Sequence, residues 1–160
     1  MSGIAILDST ILTNFALVRR PDLVMSLWQG KVCTTPAVMG EYLSASDRLT
    51  FPPECWIELP ILELTAQEET LAQQLPARLG AGERTCIAVA IQRGGLLVSD
   101  DLDARRIARI HALLRSGMLG ILITSTQQNL LPLDEANQLL TRMIAAGYHS
   151  PMSELKSKKG

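Results

Sequence analysis

The feature that most constrains the fold is a short apolar run that ends in a cluster of carboxylates. Residues 96–98 are Leu-Leu-Val, they follow a Gly-Gly turn, and the carboxylates of Asp100, Asp101 and Asp103 come soon after them. A short apolar run bounded by turn residues is typical of a fully buried strand. Because ligands of open α/β sheets bind just outside the carboxyl ends of their strands, the sequence predicts a chemical site here.

Carboxylates this close together repel one another, and the repulsion costs free energy unless a cation or bound protons offset it. Oxygen-rich sites of this kind are typical of the divalent cations Mg²⁺ and Mn²⁺. The sequence therefore predicts a metal site, and further carboxylates from other parts of the chain are expected to complete it.

Length and composition limit the kind of protein. A chain of 160 residues predicts one domain, which we expect over residues 1–150, followed by a flexible, Lys- and Ser-rich tail over 151–160. The aromatic share of 4% predicts an aliphatic core, which suits helices packed on a parallel sheet. The net charge of −1 excludes nucleic-acid binding by overall charge, so such a site must be a local patch.

The cysteines and the apolar runs predict a cytoplasmic protein with no membrane association. Cys33, Cys55 and Cys86 are odd in number and far apart, which is typical of reduced core thiols. No apolar run approaches the roughly 20 residues that span a bilayer. Asp8 interrupts the first apolar run, so no signal peptide is expected.

Apolar runs alternate with segments of helical spacing along the chain. Strands are predicted over 3–7, 31–34, 56–59, 96–98 and 117–123. Helices are predicted between them, with Ser9 or Thr10 as the cap of the first and a polar loop over 44–53. This alternation predicts an α/β fold with a mostly parallel sheet of about five strands.

Three further acids lie at the end of a predicted strand or in the first two turns of a predicted helix: Asp8, Glu41 and Glu83. Each also has a purely structural explanation. Asp8 could serve as a helix cap and nothing more, Glu41 could face solvent, and Glu83 suits the positive end of a helix dipole. Together with Asp101 they would converge at one sheet edge. Four carboxylates without His or Cys partners favour an oxygen-liganded metal over zinc, and hence phosphate chemistry.

Four acidic motifs in this order resemble those of PIN-domain ribonucleases, of the kind found as VapC-like toxins. The motifs are Ile-Leu-Asp-Ser-Thr at 6–10, Pro-Ala-Val-Met-Gly-Glu at 36–41, Leu-Gly-Ala-Gly-Glu at 79–83 and Leu-Val-Ser-Asp-Asp-Leu-Asp at 97–103. The continuations at 105–108, 117–120 and 146–148 resemble a PIN-like nucleic-acid-binding subgroup.

The resemblance implies a three-layer α/β/α fold and an Mg²⁺- or Mn²⁺-dependent endoribonuclease acting on single-stranded RNA. It implies catalytic metal ligands at Asp8, Glu41, Glu83 and Asp101, with Asp103 as an auxiliary acid and Asp100 as an alternative to Asp101. It also implies a cognate antitoxin and a homodimer.

Nucleic-acid contacts are expected from two kinds of side chain. Ser9 and Thr10 are candidates for bonding a ligand or phosphate. The candidates for backbone phosphates are Arg84, Arg105, Arg106 and Arg109, whose alternative is a solvated helix face. The mechanism needs neither His111 nor His149.

Two other function classes remain as alternatives. A non-catalytic PIN-like nucleic-acid-binding protein would keep the fold without cleavage. A phosphatase or phosphoacceptor protein with Asp8 as nucleophile is disfavoured, because no lysine lies between Lys31 and Lys156 to serve its site.

Overall fold

The computed structural model of the protein describes residues 3–49 and 51–156. Within them the chain forms four strands, eight α-helices and a 3-10 helix at Pro53–Trp56. The strands and α-helices run in the order β1 (Ala5–Leu7), α1 (Ser9–Leu17), α2 (Pro21–Leu27), β2 (Val32–Cys33), α3 (Pro36–Leu49), α4 (Ala66–Gln74), α5 (Ala81–Arg93), β3 (Leu96–Val98), α6 (Leu102–Ile110), β4 (Arg115–Ser116), α7 (Met118–Gln127) and α8 (Leu133–Ala145).

The four strands form one parallel sheet in the order β2-β1-β3-β4. Ile6 of β1 pairs with Cys33 on one side and with Leu97 on the other. All three residues of β1 are fully buried. Because successive strand residues face opposite sides of a sheet, this burial means that both faces are covered by helices. The predicted α/β class and parallel sheet are confirmed.

The strand order contains a topological switch between β1 and β3. The chain leaves β1 toward β2 on one side, and it later returns to β3 on the other side of β1. At such a switch the connections diverge and leave a crevice outside the strand ends. Asp8 directly follows β1 and Ser99 directly follows β3, so the predicted acidic residues begin at this crevice.

The strand predicted over 117–123 is wrong, because this run begins helix α7. The strand lies just before it, at Arg115–Ser116. A short buried apolar run fits a strand or a buried helix equally well. Here the Asp100 carboxylate accepts a hydrogen bond from the backbone N–H of Met118 (3.0 Å to Oδ2) and thereby satisfies a free donor at the helix start.

Two further predictions between the second and third strands are wrong. Residues 56–59 form the end of the 3-10 helix and a turn, so the described chain has four strands and not five. The loop predicted over 44–53 begins later, since α3 continues to residue 49. Tyr42 and Ser46, four residues apart, are buried, while Ser44, Asp47 and Arg48 are exposed, which is helical periodicity with a polar outer face.

The aromatic residues anchor the region that follows α3. The ring of Tyr42 stacks on Phe51 with a centroid distance of 5.0 Å, and its hydroxyl donates to the carbonyl of Pro52 (3.1 Å). The indole N–H of Trp56 donates to the carbonyl of Leu12 in α1 (2.8 Å). Buried aromatic side chains with satisfied polar atoms therefore attach this segment to the aliphatic core.

Chain packing extends past the predicted domain boundary at residue 150. Leu155 is 2% exposed, its backbone N–H donates to Oδ1 of Asn137 (2.6 Å), and its carbonyl accepts from Nδ2 of the same side chain (3.1 Å). The segment up to Leu155 thus packs against α8, and residues 157–160 of the predicted tail lie outside the described part of the chain.

Two further features concern the cysteines and the helices. Cys33, Cys55 and Cys86 are free thiols; Cys33 and Cys86 are buried, as predicted for core thiols, whereas Cys55 is partly exposed. Over the described ranges, none of the helices has the length and apolarity needed to cross a bilayer.

Candidate active site at the switch between strands β1 and β3

Asp8 is a buried carboxylate at the end of β1, with 1% of its surface exposed. Its Oδ1 accepts from the backbone N–H of Ser9 (2.6 Å), so Asp8 caps α1 and the predicted cap at Ser9 or Thr10 is wrong. Burial raises the pKa of Asp8 to about 6; the hydrogen bond from Ser99 opposes this rise, and the charge of Glu83 adds to it. The charged form of Asp8 is therefore held in an unfavourable environment.

Ser99 connects the two strand ends. Its hydroxyl donates to Oδ2 of Asp8 (2.7 Å) and accepts from the backbone N–H of Asp101 (3.1 Å). The sequence analysis did not single out Ser99, although it lies inside the fourth acidic motif. One hydroxyl thus fixes the carboxylate after β1 against the loop after β3.

Glu41 reaches the start of α5 from the neighbouring helix α3. Its Oε1 accepts from the backbone N–H of Gly82 (2.9 Å). A Cβ atom at Gly82 would lie 2.7 and 2.8 Å from the two carboxylate oxygens, which is closer than real contacts allow. A larger residue at position 82 would displace the Glu41 carboxylate from its present place, which gives a reason for Gly82 in the third acidic motif.

Glu83 lies in the first turn of α5, and its side chain folds back over the helix start. A Cβ atom at Gly80 would come within 2.5 Å of the Glu83 Oε2. Burial is the main cause that raises the pKa of Glu83, and the charges of Glu41 and Asp101 add to it. The carboxylates are thus close enough to act on one another.

The three carboxylates after β3 have different partners. Asp101 caps α6, with Oδ2 accepting from the N–H of Ala104 (2.9 Å), and its charge acts on Glu83. Asp100 turns to the start of α7, and burial raises its pKa. Asp103 forms ion pairs with Arg106 (3.3 Å) and Arg78 (3.8 Å). The structure therefore brings Asp101 together with Asp8, Glu41 and Glu83, whereas Asp103 faces cations.

A cleft of about 360 Å³ opens beside these acids. Its walls include Thr10 and Asn14 from α1, the acids Glu83, Asp100 and Asp101, and the segment Gly147, Tyr148 and His149 after α8. The sequence analysis assigned no role to Tyr148 or His149. Only the fold brings the end of α8 to the strand ends, and the resemblance at 146–148 was the one signal for it.

The predicted phosphate-binding arginines lie in different places. Arg105 borders the site, and its Nη1 donates to the carbonyls of Ser99 (2.8 Å) and Ser116 (3.0 Å). Arg106 and Arg109 are exposed on α6. Arg84 lines a separate cavity of about 580 Å³ beside α4 and α5, and its buried Nε has no hydrogen-bond partner among the described residues. Their phosphate contacts stay predictions.

The donor set fits a hard divalent cation in its chemistry. All four converging groups are carboxylates, and the raised pKa values of Asp8 and Glu83 mean that protein cations do not offset their charges. Within the ranges that the structure describes, however, no three acidic, imidazole or thiol side chains lie in a position to hold one ion together. Side-chain movement would have to close the site around a cation.

Comparison with known families identifies the fold. A family model described as the PIN domain matches residues 4–157. The chain belongs to the PIN domain family. No curated protein matches it. This match confirms the family predicted from the acidic motifs. PIN domains are generally nucleases that bind nucleic acid, and they typically use divalent metals.

Proposed function

We propose that this PIN domain is a metal-dependent endoribonuclease that hydrolyses phosphodiester bonds in single-stranded RNA. The observation that carries the proposal is the buried carboxylate of Asp8 at the β1/β3 strand ends. Burial raises its pKa, and the charges of Glu83 and Glu41 add to the rise. A buried acid with a perturbed pKa beside like charges in a cleft is a candidate for a functional site.

The proposed metal ligands are Asp8, Glu41, Glu83 and Asp101, with Asp103 as an auxiliary acid and Asp100 as the alternative to Asp101. A bound Mg²⁺ or Mn²⁺ would supply an activated water and stabilise phosphoryl oxygens. The chain orients the acids beforehand through the hydroxyl of Ser99 and the backbone N–H groups of Ser9, Gly82 and Ala104. Because each carboxylate oxygen can accept more than one hydrogen bond, these contacts leave acceptor positions unused.

The proposed contacts to RNA come from both sides of the acidic cleft. Thr10 lines the cleft and Ser9 lies next to Asp8, which supports phosphate or ligand contacts from the start of α1. Arg105 borders Asp100, which supports a phosphate contact there. Arg84, Arg106 and Arg109 complete the proposed set as more distant contacts to the RNA backbone.

The proposed biological setting is that of a VapC-like toxin: a cytoplasmic homodimer inhibited by a cognate antitoxin. The four acidic motifs support this setting through their resemblance to such toxins. The free thiols of the three cysteines support a reducing compartment.

A second candidate function is a PIN-like protein that binds nucleic acid without cleaving it. It is favoured by the lack, in the described part of the chain, of three side chains already arranged around one ion. Against it stands the cost of keeping several carboxylates close together with no cation to offset them.

The deciding experiment is cleavage of a labelled single-stranded RNA pool by the purified protein with Mg²⁺, with Mn²⁺ and with EDTA. We expect metal-dependent cleavage that is abolished in Asp8→Asn and retained in Glu58→Gln, an exposed acid outside the cleft. Binding of RNA without cleavage under either metal would overturn the nuclease and favour the second candidate.

A further inference from the structure

A larger groove adjoins the acidic cleft. Its volume is about 850 Å³, and it shares Asp100, Tyr148 and His149 with the cleft as common walls. It continues over the start of α7 and the side of α8, away from Asp8. A chain that entered the acidic cleft could therefore extend directly into this groove.

The charge of the groove differs from that of the cleft. Arg105 and Arg115 line the groove, whereas Glu83 and Asp101 line the cleft. Each arginine has one nitrogen fixed on backbone carbonyls, with the Nη1 of Arg115 donating to Leu113 (2.8 Å), and each keeps further N–H donors unused. Because these guanidinium groups are already positioned, they lose less freedom when they bind a phosphate.

Apolar surface lies beside these cations. Leu102 is 76% exposed at the groove, where Leu119, Ile144 and the ring of Tyr148 also form its wall. Exposed apolar surface next to anchored arginines is unfavourable in water. It suits the flat faces of nucleobases, which stack on aromatic and apolar side chains while the phosphates contact cations.

The position of Tyr148 is set by the end of α8. The N–H of Tyr148 donates to the carbonyl of Met143 (3.0 Å), and the N–H of Gly147 donates to Ile144 (3.0 Å). With Gly147 at a φ of +113°, these two bonds form the motif that commonly ends a helix. The backbone that carries the ring is therefore fixed, and the ring is partly buried against the core.

We propose that this groove holds the nucleotides that flank the cleaved bond, with Arg115 and Arg105 on the phosphates and Tyr148 and Leu102 on the bases. The occupant is a single strand, because bases in a duplex are already stacked and cannot present their faces. The inference rests on the proposed nuclease function, and it adds to that function a binding site that includes no proposed metal ligand except the shared Asp100.

The test measures binding in EDTA, so that cleavage does not enter. A labelled single-stranded oligouridine is titrated with the full chain, and fluorescence anisotropy gives Kd at several salt concentrations. The variants are Arg115→Ala, Leu102→Ser and Tyr148→Ala, and the controls are Tyr148→Phe, which keeps the ring, and Arg142→Ala, an exposed arginine on α8 outside the groove. Thermal unfolding checks that each variant is folded.

We expect Kd to rise about tenfold in Tyr148→Ala and to stay near the wild-type value in Tyr148→Phe, because the ring supplies the stacking. Arg115→Ala should also weaken binding, and it should reduce the slope of log Kd against log salt by about 0.7, the loss of one phosphate contact. Arg142→Ala should change neither quantity. Leu102→Ser and Arg115→Ala, both at exposed positions, decide the outcome if Tyr148→Ala does not fold.

The proposal is overturned if wild-type protein does not bind the oligouridine, or if Arg115→Ala and Leu102→Ser bind as the wild type does. If the variants cleave RNA with metal as the wild type does, the groove proposal is refuted and the proposed nuclease function stands. If the variants bind RNA more weakly but the wild-type protein cleaves no RNA, the proposed nuclease function is refuted and the groove stands as a binding site for single strands.

Discussion

Among the four proposed metal ligands, Asp8 is the most deeply buried, with 1% of its surface exposed. Its pKa rises from 3.8 to about 6 because burial disfavours its charged form. A shift of about two pKa units corresponds to roughly 3 kcal/mol. Since the folded state binds this proton more tightly than the unfolded state, the free energy of unfolding falls as pH rises from about 4 to 6 and then stays level.

Replacing Asp8 by asparagine should therefore stabilise the protein while it removes activity. An amide can accept from Ser9 and donate to the Ser99 hydroxyl, so both contacts persist without the charge. We expect the free energy of unfolding to rise by about 1 to 3 kcal/mol above pH 6 and to approach the wild-type value near pH 4.

Urea unfolding at a series of pH values measures this difference. Glu58→Gln, at an exposed position outside the cleft, is the control for the loss of one carboxylate. A loss of stability in Asp8→Asn at neutral pH would contradict the explanation, because it would mean that the charge of Asp8 contributes to folding.

At the scale of elements, α4 is attached to α5 by an ion pair between a buried glutamate and a partly exposed arginine. Glu68 is 1% exposed; its carboxylate accepts from Nε and Nη2 of Arg93 (2.8 and 2.9 Å), and it also closes a capping box with Thr65. The hydrogen bonds from Arg93 are the main cause that lowers the pKa of Glu68 to about 2. This contact holds α4 beside the helix that carries Glu83.

Glu68→Gln should cost about 2 kcal/mol of unfolding free energy at neutral pH, because it leaves Arg93 without its charged partner. The folded-state pKa of Glu68 is depressed, so its contribution is complete above pH 4.5 and is lost as pH falls toward 2. The difference between variant and wild type should shrink over that range in denaturant titrations.

The matched control is Glu69→Gln, since Glu69 lies next in α4, is exposed and makes no ion pair among the described residues. An equal loss of stability in both variants would indicate a general effect of charge on the helix start. It would argue against the specific pair with Arg93.

At the scale of the whole molecule, the parallel strand order gathers the acids. Asp8 and Ser99 are 91 residues apart in sequence and are joined by a hydrogen bond, because β1 and β3 are neighbours. Helices α3 and α5 then bring Glu41 and Glu83 to the same edge. The fold thereby concentrates negative charge that a divalent cation would relieve.

If a cation binds there, it should stabilise the folded chain. At a concentration of about 100 times its Kd, Mg²⁺ or Mn²⁺ should add about 2.7 kcal/mol, which corresponds to a rise in Tm of about 5 to 10 °C for a chain of this size. Differential scanning fluorimetry with and without metal measures the rise. The rise in Tm should disappear in Asp8→Asn and persist in Glu58→Gln. An unchanged rise in both variants would mean that the ion binds at a place other than Asp8.

Signals confined to a few neighbouring residues were sufficient for much of the fold and for part of the site. The apolar runs of β1 and β3 are examples, and the acids that follow the strands were predicted in the same way. These features depend on backbone geometry and burial patterns that the local sequence carries by itself.

Contacts between distant residues decided the rest. The bond from Met118 to the Asp100 carboxylate starts a helix where the apolar run alone allowed a strand. Arg105 is bonded to two strand-end carbonyls, and Tyr148 reaches the cleft only because α8 ends there. Each outcome depends on a contact between different strands and helices, which the pattern within one element does not specify.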